Sequence, residues 1–313
     1  MTQVETTGRY KRWTRYTWRD WWSVLKRTGI GVGEHNLSLM AAGVAFFAML
    51  ALFPAIAALI SLYGFVSDPI VIAQNLELIE PLVPEDVMTI LRNQVISLVT
   101  AKQALGFASV LSIGLAVWSA RAGLTAMITG LNVVYRQTDR RNFLWSLVVA
   151  YGLTLLLIVE VIVAVAVVVV LPAVMAFVPL GGLAQLGLNL GRWFIGLLTV
   201  LVGIGALYRF APNRRRARIP WITPGAVAAA LLWVGMSMAF SEYLANFGRY
   251  NEVYGSLGAV VALLMWFYLS AFVVLLGAEL NAEIEHHTSM DTTVGRPRPM
   301  GNRGAYVADH LAE

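Results

Sequence analysis

The 313-residue chain contains no cysteine, and only 13% of its residues carry a charge. The first absence excludes disulfide staples and thiolate metal sites, and leaves the redox compartment open. The second is far below the charged fraction of an ordinary soluble domain, about 25%. With 58% hydrophobic residues and mean hydropathy +0.69, this composition suits lipid rather than water. Histidine is scarce: His35, His286, His287 and His310 all fall outside the apolar runs and show no metal-ligand spacing. The adjacent His286 and His287 would project about 100° apart on a helix, unsuited to gripping one metal. No phosphate-cradling loop, nucleophile elbow or soluble domain is present. No catalytic residues, metal or cofactor are therefore expected, and the chain reads as a non-enzyme.

Long apolar runs are abundant. Six reach or approach the roughly 20 residues that cross a hydrocarbon core, at about 39–65, 105–132, 143–171, 192–210, 222–246 and 257–281. The third, "FLWSLVVAYGLTLLLIVEVIVAVAVVVVL", is valine-rich, but in lipid its backbone groups must be satisfied within the segment, which favours a helix. The expected fold is an all-α integral membrane protein. It has a leader over 1–38, a six-span domain over 39–285 and a Pro-, Gly- and Arg-rich tail over 286–313 expected to be disordered. The stretch 171–191, "LPAVMAFVPLGGLAQLGLNLG", reads as a loop or a short re-entrant piece. The first strongly apolar run starts only near Leu39, too late for a cleaved signal peptide.

The basic residues set orientation. The leader, the 133–142 loop, the 209–221 segment and the tail together hold eighteen of the 23 Lys and Arg residues. The opposite side holds Arg92, Lys102, Arg192 and Arg249. Both termini are thus expected in the cytoplasm of a bacterium, with the protein in its inner membrane. "APNRRRARIPW" resembles a nucleic-acid patch in isolation, but it joins two spans on the positive side, so topology and anionic headgroups account for it better. Nucleic acid is not an expected partner. Thr223 and Pro224 read as the N-cap and first helical residue of span five.

In the leader, Trp18, Trp21, Trp22 and Leu25 recur at helical spacing among Arg19, Lys26 and Arg27, the pattern of an amphipathic helix anchored at a membrane surface. A protein partner is the rival reading. Between spans one and two, two helix starts at Pro69 and Pro84 and an apolar stripe of Val87, Ile90, Leu91 and Leu98 predict an extracytoplasmic helical hairpin.

Among the few ionisable or amide side chains within or near the ends of the spans are Arg121, Asn132, Glu160, Glu242, Glu279 and Asn281. At 1.5 Å per residue, Arg121 lies roughly 22 Å and Glu160 roughly 25 Å from the same side, so the two lie at comparable depth. An unpaired charge at mid-depth costs on the order of 3 kcal/mol. Three readings stand: a structural Arg121–Glu160 pair, a cavity where Arg121 meets an anionic solute, and snorkelling to the interface. Pro54 in "MLALFPAIAAL" should kink span one. Ser119, Ala120, Gly123 and Ala126 allow a neighbouring helix to approach span two. Asn132 and Asn281 serve equally well as interhelical hydrogen bonds or as ligands.

Spans one and six, "AAGVAFFAMLALFPAIAALISLYGF" and "YGSLGAVVALLMWFYLSAFVVLLGAELNAEIE", resemble the YihY/virulence factor BrkB family of bacterial inner-membrane proteins. "WSARAGLTAMITGLNVVYR" and "RFAPNRRRARIPWITPGAVAAALLW" fit the same family in the same order, so the likeness covers about 20–287. The resemblance implies an envelope role, with transport of lipids or other solutes among those attached to the family, and an old ribonuclease BN label that these residues do not support. Members often carry Phe-Tyr and Ser-Leu-Phe-Pro where this chain has Phe46-Phe47 and Ala51-Leu52-Phe53-Pro54, which removes two hydroxyls from span one. The expectation is a transporter-like protein that contacts membrane lipids and handles an amphipathic or anionic envelope solute. The alternative is a non-transporting envelope scaffold, and a homo-oligomer remains an open arrangement.

Overall fold

The computed structural model describes residues 13–66, 105–167, 182–246 and 257–311. Its helices are α1 (Trp18–Glu34), α2 (Leu37–Val66), α3 (Leu105–Val134), α4 (Phe143–Val165), α5 (Gly182–Phe210), α6 (Ile219–Asn246), α7 (Leu257–His286) and the short α8 (Tyr306–Asp309). Among the described residues the sole β feature is an isolated bridge between Ala217 and Thr293. The all-helical expectation holds. Four stretches are long and apolar enough to cross a membrane on their own: Phe143–Ala164, Leu186–Phe210, Ile222–Leu244 and Val260–His286. A fifth arises if Trp18–Glu34 and Leu37–Leu52, bent by 62° at their junction, form one broken span. The six expected crossings thus find support at four or five. The hairpin between spans one and two lies outside the described residues, as does the first part of 171–191. From Gly182 onward that stretch is helical and lengthens the fourth span.

Lipid as the solvent explains which side chains face outward. Leu144, Leu155, Val159 and Ile162 of α4 are exposed, as are Leu190, Trp193, Phe194 and Val202 of α5. In water such faces would collapse inward, but in a bilayer they cost nothing and the interior selects for small residues instead. The close contact of α6 with α7 follows that rule. A Cβ on Gly277 would stand 2.6 Å from the Gly225 carbonyl oxygen and 2.7 Å from the Ala229 methyl, so glycine is required there. The Tyr208 hydroxyl of α5 donates to the Val274 carbonyl at 2.6 Å and ties a third helix to the same place.

The helices divide between two compact units. Unit 1 comprises 1–41, 127–236 and 270–313; unit 2 comprises 42–126 and 237–269. In unit 2, α2 passes Gly123 of α3 at ordinary contact distance, with the Ala48 backbone nitrogen 3.5 Å from where a Cβ would stand. α2 is helical on both sides of Pro54.

Unit 1 holds two departures from expectation. α6 begins at Ile219, so Pro224 lies inside the helix and Thr223 does not cap it; the Thr223 hydroxyl donates to Ile219 O instead. Proline has no N–H for the carbonyl four residues earlier, and the Trp13 indole fills that role, donating to Pro220 O at 2.6 Å. The tail is the second departure. Where composition suggested disorder, 287–311 fold back along the 211–218 loop, with Arg215 N donating to Gly304 O, Arg218 N to Thr292 O and Val294 N to Arg216 O. The Arg303 guanidinium is buried and donates to the carbonyls of Ser289, Met290, Arg298 and Ala308. Asp309 accepts from the backbone of Gly301, Arg303 and Gly304. One arginine and one aspartate thus meet the backbone groups that a glycine-rich segment would otherwise leave to water.

Candidate functional site

The last turns of α7 read "GAELNAEIEH", from Gly277 to His286. At 100° per residue, Glu279, Glu283 and His286 share one face, while Asn281 and Glu285 lie on the opposite one. All five are buried.

The Asn281 face is a clamp. Asn281 accepts from Gly225 N at 2.8 Å and donates to Ile222 O at 2.9 Å, so one amide bridges the part of α6 that Pro224 opens. Glu285 takes the Arg214 guanidinium on both oxygens at 2.9 Å and the Thr292 hydroxyl at 2.9 Å. That pair is sealed, with side-chain exposure of 2% for Arg214 and 0% for Glu285. Arg214 also stacks 4.7 Å above the Tyr135 ring. Burial pushes the Tyr135 phenol up, against the opposing pull of Arg214. Asn132 has a similar structural part, its side-chain oxygen accepting from Asn213 N at 2.7 Å. Close by, Arg141 donates to the carbonyls of Ala211 and Pro212 at 3.0 and 2.8 Å, beyond the C-terminus of α5, where a cation suits the helix dipole. Burial lowers the guanidinium's proton affinity there.

The other face is incompletely matched. Glu279, with no exposed surface, meets His35 Nδ1 through one oxygen at 2.8 Å. Its second oxygen has no hydrogen-bond partner and lies against Gly31 of α1, where any Cβ would overlap it. Glu283 pairs with His286 at 3.5 Å, and the second oxygen of Glu283 and Nε2 of His286 are likewise unpartnered. His287 bonds the Glu283 carbonyl and the Ser23 hydroxyl; burial lowers its proton affinity.

Within its span, Glu160 of α4 lies across Gly203 of α5 so closely that a Cβ there would stand 2.9 Å from the carboxyl carbon. One Glu160 oxygen is shielded from water without a hydrogen-bond partner. Arg121 of α3 is half-buried, with the Thr125 hydroxyl donating to its carbonyl at 2.9 Å. Glu160 belongs to unit 1 and Arg121 to unit 2.

The anchor trio of α1 divides. Trp18 and Trp22 are exposed at 78% and 63%, whereas Trp21 turns inward with Tyr16 and Trp13 against Val24 and Ile284. The start of α1 is fixed by a capping box between Thr17 and Asp20. Sequence reasoning missed His35, Glu283 and the Arg214–Glu285 pair. The i, i+4 spacing of Glu279 and Glu283 was a usable signal; nothing local marked His35 or distinguished Arg214 from its neighbours. Among the described residues no group of three or more His, Cys, Asp or Glu could hold a metal ion.

These observations define a multi-pass helical membrane protein with buried charge in its helices. The match to the family described as Virulence factor BrkB spans residues 31–300, and the chain belongs to that family. It is similar to the putative ribonuclease-like protein YfkH of Bacillus subtilis, 31% identical over 261 residues, covering 79% of this chain and 90% of that protein. Shorter likenesses join it to UPF0761 membrane proteins. That of Idiomarina loihiensis is 36% identical over 95 residues, 30% of this chain and 33% of its own. That of Tolumonas auensis is 37% identical over 119 residues, 36% and 38% of the respective chains. No solved structure matches this chain.

Proposed function

We propose that the chain is a transporter-like protein of the bacterial inner membrane, both termini cytoplasmic, that handles an amphipathic or anionic envelope solute such as a lipid. The observation that carries this reading is Glu160: a carboxyl group within a span, with one shielded oxygen that has no hydrogen-bond partner, seated against Gly203 of α5. Ionisable side chains in lipid are expensive and by default mark a pathway or a binding place. Arg121 is a second ionisable side chain within a span, and its positive charge suits an anionic headgroup. The exposed Trp18, Trp22 and Leu25 of α1, flanked by the exposed Arg19 and Lys26, suit the headgroup layer of the cytoplasmic leaflet.

The test is scrambling of a fluorescent phosphatidylglycerol in proteoliposomes. The expected result is a rate above protein-free vesicles that falls at least about tenfold in Glu160→Gln and Arg121→Gln, roughly 1.4 kcal/mol of barrier each. Wild-type protein that moves neither this lipid nor other envelope lipids sinks the reading. The combined charge swap Arg121→Glu with Glu160→Arg adds a discriminator: restored folding and flux favour a structural pair, and a folded but inactive protein favours a solute contact.

A scaffold without transport is the second reading. It is favoured by Asn281, Asn132 and the Arg214–Glu285 pair, whose polar groups are spent on holding helices and loops together. The ribonuclease-like description of the Bacillus relative is a third activity to assay, with tRNA precursors left intact as the outcome expected here.

A further inference from the structure

Two buried carboxyls one turn apart on α7, Glu279 and Glu283, have imidazoles rather than arginine or lysine as their hydrogen-bonding partners. The contrast with Glu285, six residues after Glu279 and sealed against Arg214, is direct. Glu279 has no solvent exposure, and a carboxylate in such a place without a counterion would be strongly disfavoured. A proton is the smallest cation that removes the problem, and the site has room for little else, since Gly31 closes over the unmatched oxygen.

We infer that His35 and Glu279 form a buried proton-binding site that clamps the α1–α2 corner to α7. The location supports this. α1 ends at Glu34 with His35 as its C-cap, Asn36 takes a left-handed φ of 50°, and α2 begins at Leu37, so the imidazole sits in the break where the chain turns by 62°. Its side chain is 12% exposed while the carboxyl is fully buried, so the imidazole is the half of the pair through which water delivers the proton. The step balances as a proton transfer: an O–H bond of hydronium breaks, an N–H or O–H bond forms on the pair, and a neutral water molecule is left. With that proton the pair is neutral overall and the 2.8 Å bond is charge-assisted or shared. Without it, a full negative charge remains in the interior and the corner loosens.

The groups facing the pair act on it from each neighbouring element. Glu283, on α7 itself, and Arg136, just beyond α3, are the charged side chains nearest the pair, and Arg136 stands 3.9 Å from Glu34 of α1. Glu283 in turn is faced by His286, His287 and Arg27. The inference is independent of solute transport and stands or falls by its own measurements.

Because the chain has no cysteine, a Lys26→Cys, Asn302→Cys protein can be spin-labelled selectively at two exposed positions of unit 1. Distances between α1 and the tail, and the infrared carbonyl stretch of protonated carboxyls, would be followed in lipid nanodiscs from pH 5 to pH 10. The expected wild-type behaviour is a single narrow distance at low pH that broadens as pH rises, with loss of one buried-carboxyl band or an equivalent imidazolium signal per chain. Glu279→Gln, a neutral amide that keeps a hydrogen bond to His35, should remain narrow at every pH and lack that spectral change. Should Glu279→Gln not fold, His35→Gln decides, because the spectral midpoint must then move by at least one pH unit. An unchanged wild-type spectrum and distance across the range overturns the inference, as does the same transition persisting in Glu279→Gln or unmoved in His35→Gln.

Discussion

The two faces of α7's last turns carry similar residues and end in opposite conditions. Toward α6 and the 211–218 loop, Asn281 uses both ends of its amide and Glu285 both of its oxygens. Toward α1, Glu279 and Glu283 each keep one oxygen without a hydrogen-bond partner. A matched buried polar group holds a fold in one arrangement; an unmatched one must find a proton or a ligand, or bear its desolvation cost. The first face therefore reads as scaffold and the second as a place where chemistry can occur.

The comparison is broken most severely at Arg214. Arg214→Met leaves Glu285 charged and sealed, and should cost about 3–5 kcal/mol, seen as lost folded yield and a lower Tm by fluorescence-detected size exclusion. Adding Glu285→Met should recover most of that loss; a double mutant as unstable as the single one would contradict the ion-pair account. Next, Asn281→Leu strands Gly225 N and Ile222 O, with an expected loss of about 1–3 kcal/mol in the same assay. A neutral outcome would mean that α6 closes over Pro224 unaided. On the other face, Glu283→Gln should change stability by less than about 1 kcal/mol, because the group it removes is incompletely matched. A loss as large as that of Asn281→Leu would erase the contrast between the faces.

The smallest effect lies in the tail. Burial works to raise the Asp291 carboxyl, but bonds from Thr293 and from Arg298 N, with the nearby Arg303, hold it below its ordinary 3.8. A depressed carboxylate stabilises the fold above its unfolded value and loses that contribution as pH falls through the folded one. Backbone exchange of 291–303 should therefore quicken only below about pH 3.8, and Asp291→Asn should remove that dependence. Quickening already at neutral pH would mean that Asp291 does not order the tail.

Much of the architecture was legible because it depends on local composition. Apolar runs predicted the helices, and the family likeness ran over about 20–287. What stayed illegible shares one physical cause. The pairing of Arg214 was invisible because its partner stands 71 residues away, and Asn281 stayed open between interhelical hydrogen bond and ligand because its acceptor and donor on α6 are 59 and 56 residues distant. Pro224 read as a helix start because the indole that replaces its missing N–H belongs to Trp13, far outside any local window. The tail read as disordered because Gly and Pro are ordinarily uncommitted; Arg303 and Asp309 commit them.

By itself, the sequence determined that this chain lives in lipid, is helical and belongs to its family, since each follows from runs of residues summed along the chain. Tertiary structure alone decided which of its few charges are matched. Pairing is a property of two groups at 2.8 or 2.9 Å in space, and the cost of leaving one unmatched depends on burial that no single segment possesses.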